Sequence, residues 1–202
     1  AAFHSPNIGE IRGTRSGLTV CAGLPAAKYL ANRDPQADWE NVSSLAEHLS
    51  HAESDRFVLI SSVDVYQPPR GISESDTPRL DGDEAYGRNR AWFELFVRAT
   101  YPRAQILRLP GLFAPRLRKN LIFDLLEGRE EQWSNVNADS EFQFFDVESL
   151  WDLIDSVAQL DLRVVNVATE PVRAQQVADL FGVDLSRDPA MVKYDMQTDH
   201  AQ

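Results

Sequence analysis

Strand-like apolar runs alternate with amphipathic helical patterns along this chain, and that alternation limits the folds open to it. The runs are rich in β-branched residues, are bounded by turn formers or charges, and cover residues 18–22, 57–61, 104–109 and 164–167. Such runs are typical of strands that are buried on both faces of a sheet. Helical stripes lie between them at 38–52, with Asp38 as a candidate N-cap, and at 84–100. The pattern predicts a doubly wound α/β fold, with a parallel sheet flanked by helices.

The final third of the chain has a different pattern. Residues 121–126, 147–160 and 174–181 are predicted helices, separated by short strands and polar loops. A chain of 202 residues, of which 43% are hydrophobic, is long enough to bury one core with a small lobe attached. We therefore expect a small C-terminal lobe beside the predicted sheet.

The charge balance excludes two classes of partner. Twenty basic against 31 acidic side chains give a net charge of -11, which repels nucleic-acid phosphates and anionic membranes. No stretch approaches the roughly 18 to 20 apolar residues of a membrane span, and no signal-peptide pattern opens the sequence. We expect no nucleic-acid partner, no membrane and a cytoplasmic location.

Cysteine and histidine usage indicates neither a disulfide nor a metal centre. The single cysteine, Cys21, lies in an apolar run, which predicts a buried, inert thiol and suits a reducing compartment. The four histidines, His4, His48, His51 and His200, lack metal-ligand spacing with each other or with Cys21. We therefore predict no metal site.

Hydroxyl side chains follow the second predicted strand, where α/β sheets bind their ligands. The run 57–60 continues into Ser61, Ser62, Val63, Asp64, Val65 and Tyr66, and a helix carries Tyr86 and Arg90. A tyrosine has an ordinary pKa of about 10 and is a poor base at neutral pH unless a cation favours the phenolate. Arg90, one helical turn after Tyr86, supplies such a cation. Taken singly, the serines are also explained as a turn or cap, and the tyrosine as a packing residue.

This pattern resembles the signature of the extended short-chain dehydrogenases/reductases, the NAD-dependent epimerase/dehydratase family. That family has Ser-Ser-x-x-Val-Tyr followed by Tyr-x-x-x-Lys, and here Arg90 stands in place of the lysine. The resemblance implies a Rossmann-like fold and NAD or NADP as cofactor, with Ser62, Tyr86 and Arg90 as the catalytic residues. Ser62 would orient the substrate oxygen and Tyr86 would be the acid/base. Arginine keeps the positive charge and stays within reach of ribose hydroxyls, but it does not release a proton at working pH.

Other segments are similar to parts of the same family. Residues 107–113 resemble its Arg-x-Pro segment beside the nicotinamide, and 142–147 resemble the aromatic-rich stretch that closes its substrate lobe. Residues 165–168 resemble its Tyr-Asn-Val-Gly strand. For Gly23 and Pro110 the alternative is a plain tight turn. The cofactor-binding residues that the resemblance implies are Ala22, Gly23, Ser61, Arg90, Pro110, Gly111 and Leu112.

The glycine-rich turn by which this fold binds dinucleotides does not occur in the sequence, whose ten glycines are scattered. We therefore expect an N-terminally truncated Rossmann-like sheet. Residues 1–115 would form an incomplete core with the Ser/Tyr site. Residues 116–202 would contribute a small substrate-type lobe and the last core strand and helix. The sheet edge left by such a truncation would pair with a second subunit, aggregate, or be covered by residues 3–14.

Three functional interpretations remain open from the sequence. The first is an NAD(P)-dependent epimerase/dehydratase or reductase acting on a nucleotide-sugar or related carbonyl substrate. The second is a catalytically inactive relative or fragment that binds no cofactor and serves as a ligand- or protein-binding scaffold. The third is an unrelated α/β domain. A homodimer through the Tyr86 helix is a further expectation, with burial of its Trp92, Phe93 and Phe96 inside the monomer as the alternative.

Overall fold

A computed structural model describes residues 1–117 and 119–200, and a four-stranded sheet is its central feature. The strands are β1 Arg15–Cys21, β2 Glu53–Ser62, β3 Arg70–Ile72, β4 Gln105–Leu109, β5 Gly111–Phe113, β6 Glu141–Phe142, β7 Phe144–Asp146, β8 Val164–Asn166, β9 Val172–Arg173 and β10 Asp195–Met196. The helices are α1 Lys28–Arg33, α2 Pro35–Leu49, α3 Ala85–Thr100, α4 Asn120–Leu126, α5 Glu130–Trp133, α6 Leu150–Gln159 and α7 Ala174–Asp179. The sheet has the order β1-β2-β4-β8, so the predicted parallel sheet flanked by helices is confirmed.

All four predicted core strands are present, whereas the predicted start of helix α2 was wrong. Helix α2 begins at Pro35, and its N-cap is Asp34, whose side chain accepts a hydrogen bond from the backbone N of Ala37 at 3.0 Å. Proline suits the first helical position because the missing N–H is not needed there. Asp38, the predicted cap, lies inside the first turn and is buried, 4% exposed.

The chain divides into two compact units. Unit 1 contains Ala1–Pro68, Asp76–Arg108 and Ser156–Val165. Unit 2 contains Pro69–Ser75, Leu109–Asp155 and the residues from Asn166 onward. The predicted division at residue 115 stays a prediction.

The core of unit 1 lies between the sheet and helices α2 and α3. Its members are apolar side chains of β2, β4 and the two helices, including Val42, Leu45, Leu49, Phe57, Leu59, Phe93, Val97 and Ile106. Phe57 stacks on Tyr101 with ring centroids 4.1 Å apart, and the Tyr101 hydroxyl donates to the carbonyl of Leu49 at 2.7 Å. Cys21 is buried in this core, as predicted, and burial raises the pKa of its thiol to about 11.

Strand β1 is the outer strand of the sheet in the described part of the chain. It pairs in parallel with β2, with Cys21 opposite Leu59, and most of its length is exposed or half-buried, with Leu18 41% exposed. The segment before it forms a 3-10 helix, Ser5–Ile11, and Ile8 and Ile11 pack on the core of unit 1. Pairing of the β1 edge with a second subunit stays a prediction.

Unit 2 is built from short paired strands around a small core. Strand β5 pairs in parallel with β7, β3 pairs in parallel with β10, and β6 pairs antiparallel with β9. Its core consists of apolar residues of α4, α7 and the intervening loops, among them Leu121, Leu125, Ala138, Val177, Ala178 and Leu185. The buried amide of Gln143 ties β10 into this unit, donating to the carbonyl of Met196 and accepting from its N–H, each at 2.8 Å. Across 1–117 and 119–200, no helix combines the length and the apolar character that crossing a membrane requires.

Candidate functional site

The side chains of Ser62 and Tyr86 meet at the carboxyl end of β2. Ser62 is the last residue of that strand, and its Oγ accepts a hydrogen bond from the backbone N of Asp64 at 3.2 Å, which caps a 3-10 turn over Val63–Val65. Tyr86 lies in the first turn of α3, and the Ser62 side chain lies close enough to its hydroxyl to lower the pKa of the phenol. The structure thus brings together the two hydroxyls that the motif singled out, while their catalytic roles stay predictions.

A close backbone contact at Gly87 fixes this arrangement. A Cβ atom added at Gly87 would lie 1.9 Å from the backbone O of Asp64, so only glycine permits α3 to approach the turn after β2 so closely. The Gln67 side chain also joins the two elements, because its amide accepts from the N–H of Glu84 at 3.1 Å and donates to its carbonyl at 3.2 Å. The backbone N of Tyr86 donates to the side chain of Asn32 at 2.9 Å. The first turn of α3 is therefore held on two sides.

The surroundings of Tyr86 set the protonation of its phenol. Burial raises the pKa of Tyr86 above its ordinary value, and the nearby Asp64 carboxylate raises it further. The positive charges of Arg90 and Lys28 and the nearby Ser62 side chain oppose this and lower the pKa. Since the net direction is upward, the phenol keeps its proton at neutral pH and is a proton donor in this state.

Arg90 is buried in an ion pair with Asp38 of α2, and its side chain is 1% exposed. Its Nη1 and Nη2 donate to the two oxygens of Asp38 at 2.5 and 3.0 Å, and they also donate to the carbonyls of Tyr86 and Pro25. The guanidinium carbon lies 3.8 Å from the centroid of the Tyr86 ring. Asn89 donates a further hydrogen bond to Asp38 at 2.8 Å. Arg90 therefore faces α2 and the ring of Tyr86.

This pairing bears on the role predicted for Arg90 in cofactor binding. The four N–H bonds of its terminal nitrogens are used by Asp38, Tyr86 and Pro25, and its buried Nε has no partner in the described ranges. In this arrangement the guanidinium is enclosed, and its terminal nitrogens have no further N–H for another molecule. Contact with a cofactor stays a prediction for Arg90, whereas its proximity to the ring of Tyr86 is a property of the structure.

A second buried ion pair joins β4 to α3. Arg108 of β4 donates to Glu94 of α3 through Nε at 3.0 Å and through Nη2 at 2.6 Å, and its Nη1 donates to the hydroxyl of Tyr66. The Ser61 hydroxyl donates to the same Glu94 carboxylate at 2.6 Å. Ser61, predicted to bind a cofactor, therefore turns its hydroxyl into the core of unit 1.

Two further predicted cofactor residues lie at the same edge of the sheet as Ser62. Ala22 and Gly23 directly follow β1, both are exposed, and β1 is the parallel neighbour of β2. A Cβ at Gly23 would lie 3.2 Å from a methyl group of Leu45, so the glycine also has a packing role. Small exposed residues at a strand end leave room for a ligand. Their cofactor role stays a prediction.

Pro110, Gly111 and Leu112 belong to unit 2. Gly111 begins β5 opposite Phe144, and a Cβ there would lie 2.9 Å from the backbone O of Gln143. The glycine is thus explained by close strand packing. Binding of a cofactor by these three residues also stays a prediction.

Sequence reasoning missed several groups near the site. These groups are Lys28 and Asn32 of α1 and Asp38 of α2. No sequence motif connects these positions with Tyr86. Separately, within unit 2, the sequence did not indicate a cleft of about 340 Å³ that includes Lys119, and burial lowers the pKa of that lysine. Within the described ranges, no group of three or more His, Cys, Asp and Glu residues is placed to hold a metal ion.

Adding a methyl group at Gly87 tests the contact that positions Tyr86. We expect Gly87→Ala to lower the free energy of unfolding by about 1–3 kcal/mol, because overpacking outweighs the helix propensity that alanine adds. The measurement is chemical denaturation, with Gly17→Ala as control because no atom lies within 4 Å of a Cβ there. Equal stability of the two variants would refute the contact.

A double-mutant cycle tests the Arg90–Asp38 pair. We expect Arg90→Met to cost about 3–5 kcal/mol of unfolding free energy, because it leaves a buried carboxylate without its cation. Arg90→Met combined with Asp38→Leu should cost much less than the sum of the single changes. Arg15→Met, which breaks an exposed pair with Asp55, is the control and should have little effect. Additive costs at 90 and 38 would contradict the pairing.

Comparison with solved structures places this geometry in a known fold. MoeE5, solved with UDP-glucose and NAD, matches 98% of this chain and 75% of its own, at 20% identity and a TM-score of 0.68. The UDP-glucose 4-epimerase of Thermus thermophilus, solved with NAD, matches 90% of this chain and 69% of its own, at 15% identity and a TM-score of 0.68. A dTDP-4-dehydrorhamnose reductase of Clostridium acetobutylicum matches 87% of this chain and 65% of its own, at 17% identity and a TM-score of 0.65.

Sequence comparison adds nothing to this likeness, since no family model and no curated protein matches the chain. At identities of 15 to 20% the structural likeness shows the fold. The chain has the Rossmann-like α/β fold of these solved structures, which confirms the fold that the resemblance of its Ser/Tyr motif implied.

Proposed function

We propose that this chain is part or all of an NAD(P)-dependent epimerase/dehydratase or reductase that acts on a nucleotide-sugar or related carbonyl substrate. The observation that carries the proposal is the close approach of the Ser62 and Tyr86 side chains at the carboxyl end of β2, where Ser62 lowers the pKa of Tyr86. In sheets of this class, ligands bind beyond these strand ends. Similar structures solved with NAD, and with UDP-glucose in one case, support the substrate class.

The residues around Ser62 suit the nicotinamide end of a dinucleotide. Ala22 and Gly23 are small, exposed and on the neighbouring strand, so a flat ring is able to approach the backbone there. When bound, the nicotinamide supplies or accepts the hydride. NAD is favoured over NADP by the similar structures that contain it.

Ser62 and Tyr86 would have different roles at the substrate oxygen. The Ser62 hydroxyl donates a hydrogen bond that orients this oxygen. The Tyr86 phenol, protonated because burial raises its pKa, gives its proton to the oxygen as a carbonyl is reduced to an alcohol. In the reverse direction the phenolate takes the alcohol proton, and the positive charges of Arg90 and Lys28 favour that form.

Arg90 would contribute a fixed charge and no mobile proton. Its guanidinium lies against the Tyr86 ring and is held there by Asp38. Guanidinium does not deprotonate at working pH, so any proton that Tyr86 loses is replaced by another route. This separates the chain from relatives with lysine at the equivalent position.

A cleft in unit 2 has a lining that would suit a nucleotide. Its walls combine apolar side chains with Lys119 and Asn120. A base packs on apolar walls, and a cation of lowered hydration attracts a phosphate.

Calorimetric titration with NAD and NADP, in oxidised and reduced forms, followed by assays with UDP-glucose, tests the proposal. We expect Tyr86→Phe to bind cofactor as the native chain does but to lose activity by about 10²- to 10⁴-fold, because only the acid/base hydroxyl is removed. Tyr29→Phe, at a side chain that is 70% exposed, is the matched control and should keep full activity. If no form of the cofactor binds at millimolar concentration, the inactive scaffold is the correct interpretation.

A further inference from the structure

Lys28 forms an ion pair beside the Ser62–Tyr86 pair. Its Nζ lies 2.9 Å from Oδ1 of Asp64 and 2.7 Å from Oε2 of Glu84. The Asp64 side chain is 14% exposed and that of Lys28 is 35% exposed. Asp64 is the partner of Lys28 that contacts Ser62. The Lys28–Asp64 pair is mostly shielded from water.

Asp64 connects this ion pair to the two hydroxyls. The Ser62 hydroxyl donates to Oδ2 of Asp64 at 3.3 Å, and the same side chain lies close enough to Tyr86 to lower the pKa of its phenol. One carboxylate thus receives the ammonium of Lys28 on one oxygen and the proton of Ser62 on the other. A carboxylate without a neutralising cation would hold the Ser62 proton more firmly and would disfavour a second negative charge on Tyr86.

We propose that Lys28 is a positioning residue of this site, which neutralises Asp64 and so leaves the Ser62 hydroxyl free to turn to a substrate. Besides the direct effect of its charge on Tyr86, Lys28 acts on the site through Asp64, whose carboxylate it neutralises. The inference rests on the proposed function for its catalytic meaning. The electrostatic effect of Lys28 on Asp64 and Tyr86 is a property of the chain alone and can be measured without a ligand.

Arg90 does not fill this role, although it carries the larger charge effect on Tyr86. Its guanidinium is bound to Asp38 on the far side and contacts the face of the ring, and its terminal nitrogens are engaged there rather than at Asp64. The charge that lowers the Tyr86 pKa and the charge that neutralises the neighbouring carboxylate thus belong to different residues. The groups that face Tyr86 are Arg90 on its own helix, Lys28 on α1, and Ser62 and Asp64 at the end of β2.

Titration of Tyr86 in the ligand-free chain tests the inference. The probe is the Cζ carbon shift of labelled tyrosine, followed against pH by NMR, and Tyr86→Phe identifies its signal among the five tyrosines. We expect Lys28→Met to move the Tyr86 midpoint to higher pH and Asp64→Asn to move it to lower pH. In the Asp64→Asn background, Lys28→Met should have a clearly smaller effect, and Lys28→Arg should keep the native midpoint.

Lys193→Met is the matched control, because Lys193 is also a half-buried lysine paired with a glutamate, Glu141 at 3.1 Å. It should leave the Tyr86 midpoint unchanged. An unchanged midpoint in Lys28→Met, or an equal shift with and without Asp64, overturns the inference. Should Lys28→Met fail to fold, an unchanged midpoint in Asp64→Asn overturns it as well.

These outcomes are separate from those of the cofactor experiment. The titration uses neither cofactor nor substrate, so a failure to bind NAD leaves its result valid. If the chain is active, the pH profile of kcat should shift with the Tyr86 midpoint in Lys28→Met. A loss of kcat without a change in that profile would assign Lys28 a merely structural role.

Discussion

The contact between the backbone of Gly87 and the carbonyl of Asp64 determines where Tyr86 lies, and the candidate site depends on it. Because no Cβ fits between the two, the first turn of α3 rests directly on the turn that follows β2. Ser62, at the end of that strand, then meets the Tyr86 hydroxyl. Asp64 has two roles here. Its backbone carbonyl contacts α3 at Gly87, and its side chain pairs with Lys28 and accepts a hydrogen bond from Ser62.

Two buried ion pairs hold α3 in the turns that follow that contact. Arg90 pairs with Asp38 of α2, and Glu94 pairs with Arg108 of β4, and all four side chains are at most 2% exposed. Breaking one partner of such a pair costs about 3–5 kcal/mol, whereas exposed pairs such as Arg12 with Glu47 contribute little. The pairs therefore fix the orientation of α3 while Phe93 and Val97 supply its apolar packing. Substituting lysine for Arg90 would not reproduce the two-point contact with Asp38.

Local patterns predicted the parts of the fold that depend on local sequence. The four core strands and α3 were found because their apolar residues recur at strand or helix spacing, and Ser62 and Tyr86 were found because they share one motif. The start of α2 was predicted at the wrong aspartate. Asp34, directly before Pro35, is the N-cap, and Asp38 is buried in the ion pair with Arg90. Lys28, 36 residues before Asp64, was missed because an ion pair between distant positions leaves no periodic signal.

In the proposed function, Ser62 and Tyr86 share one oxygen of a substrate beside a nicotinamide ring. A crystal structure of the chain with NAD and UDP-glucose tests this central claim most directly. We expect both hydroxyls within hydrogen-bond distance of one sugar oxygen, with the nicotinamide beside Ala22 and Gly23. A nicotinamide bound elsewhere, or a sugar in contact with neither hydroxyl, would contradict it.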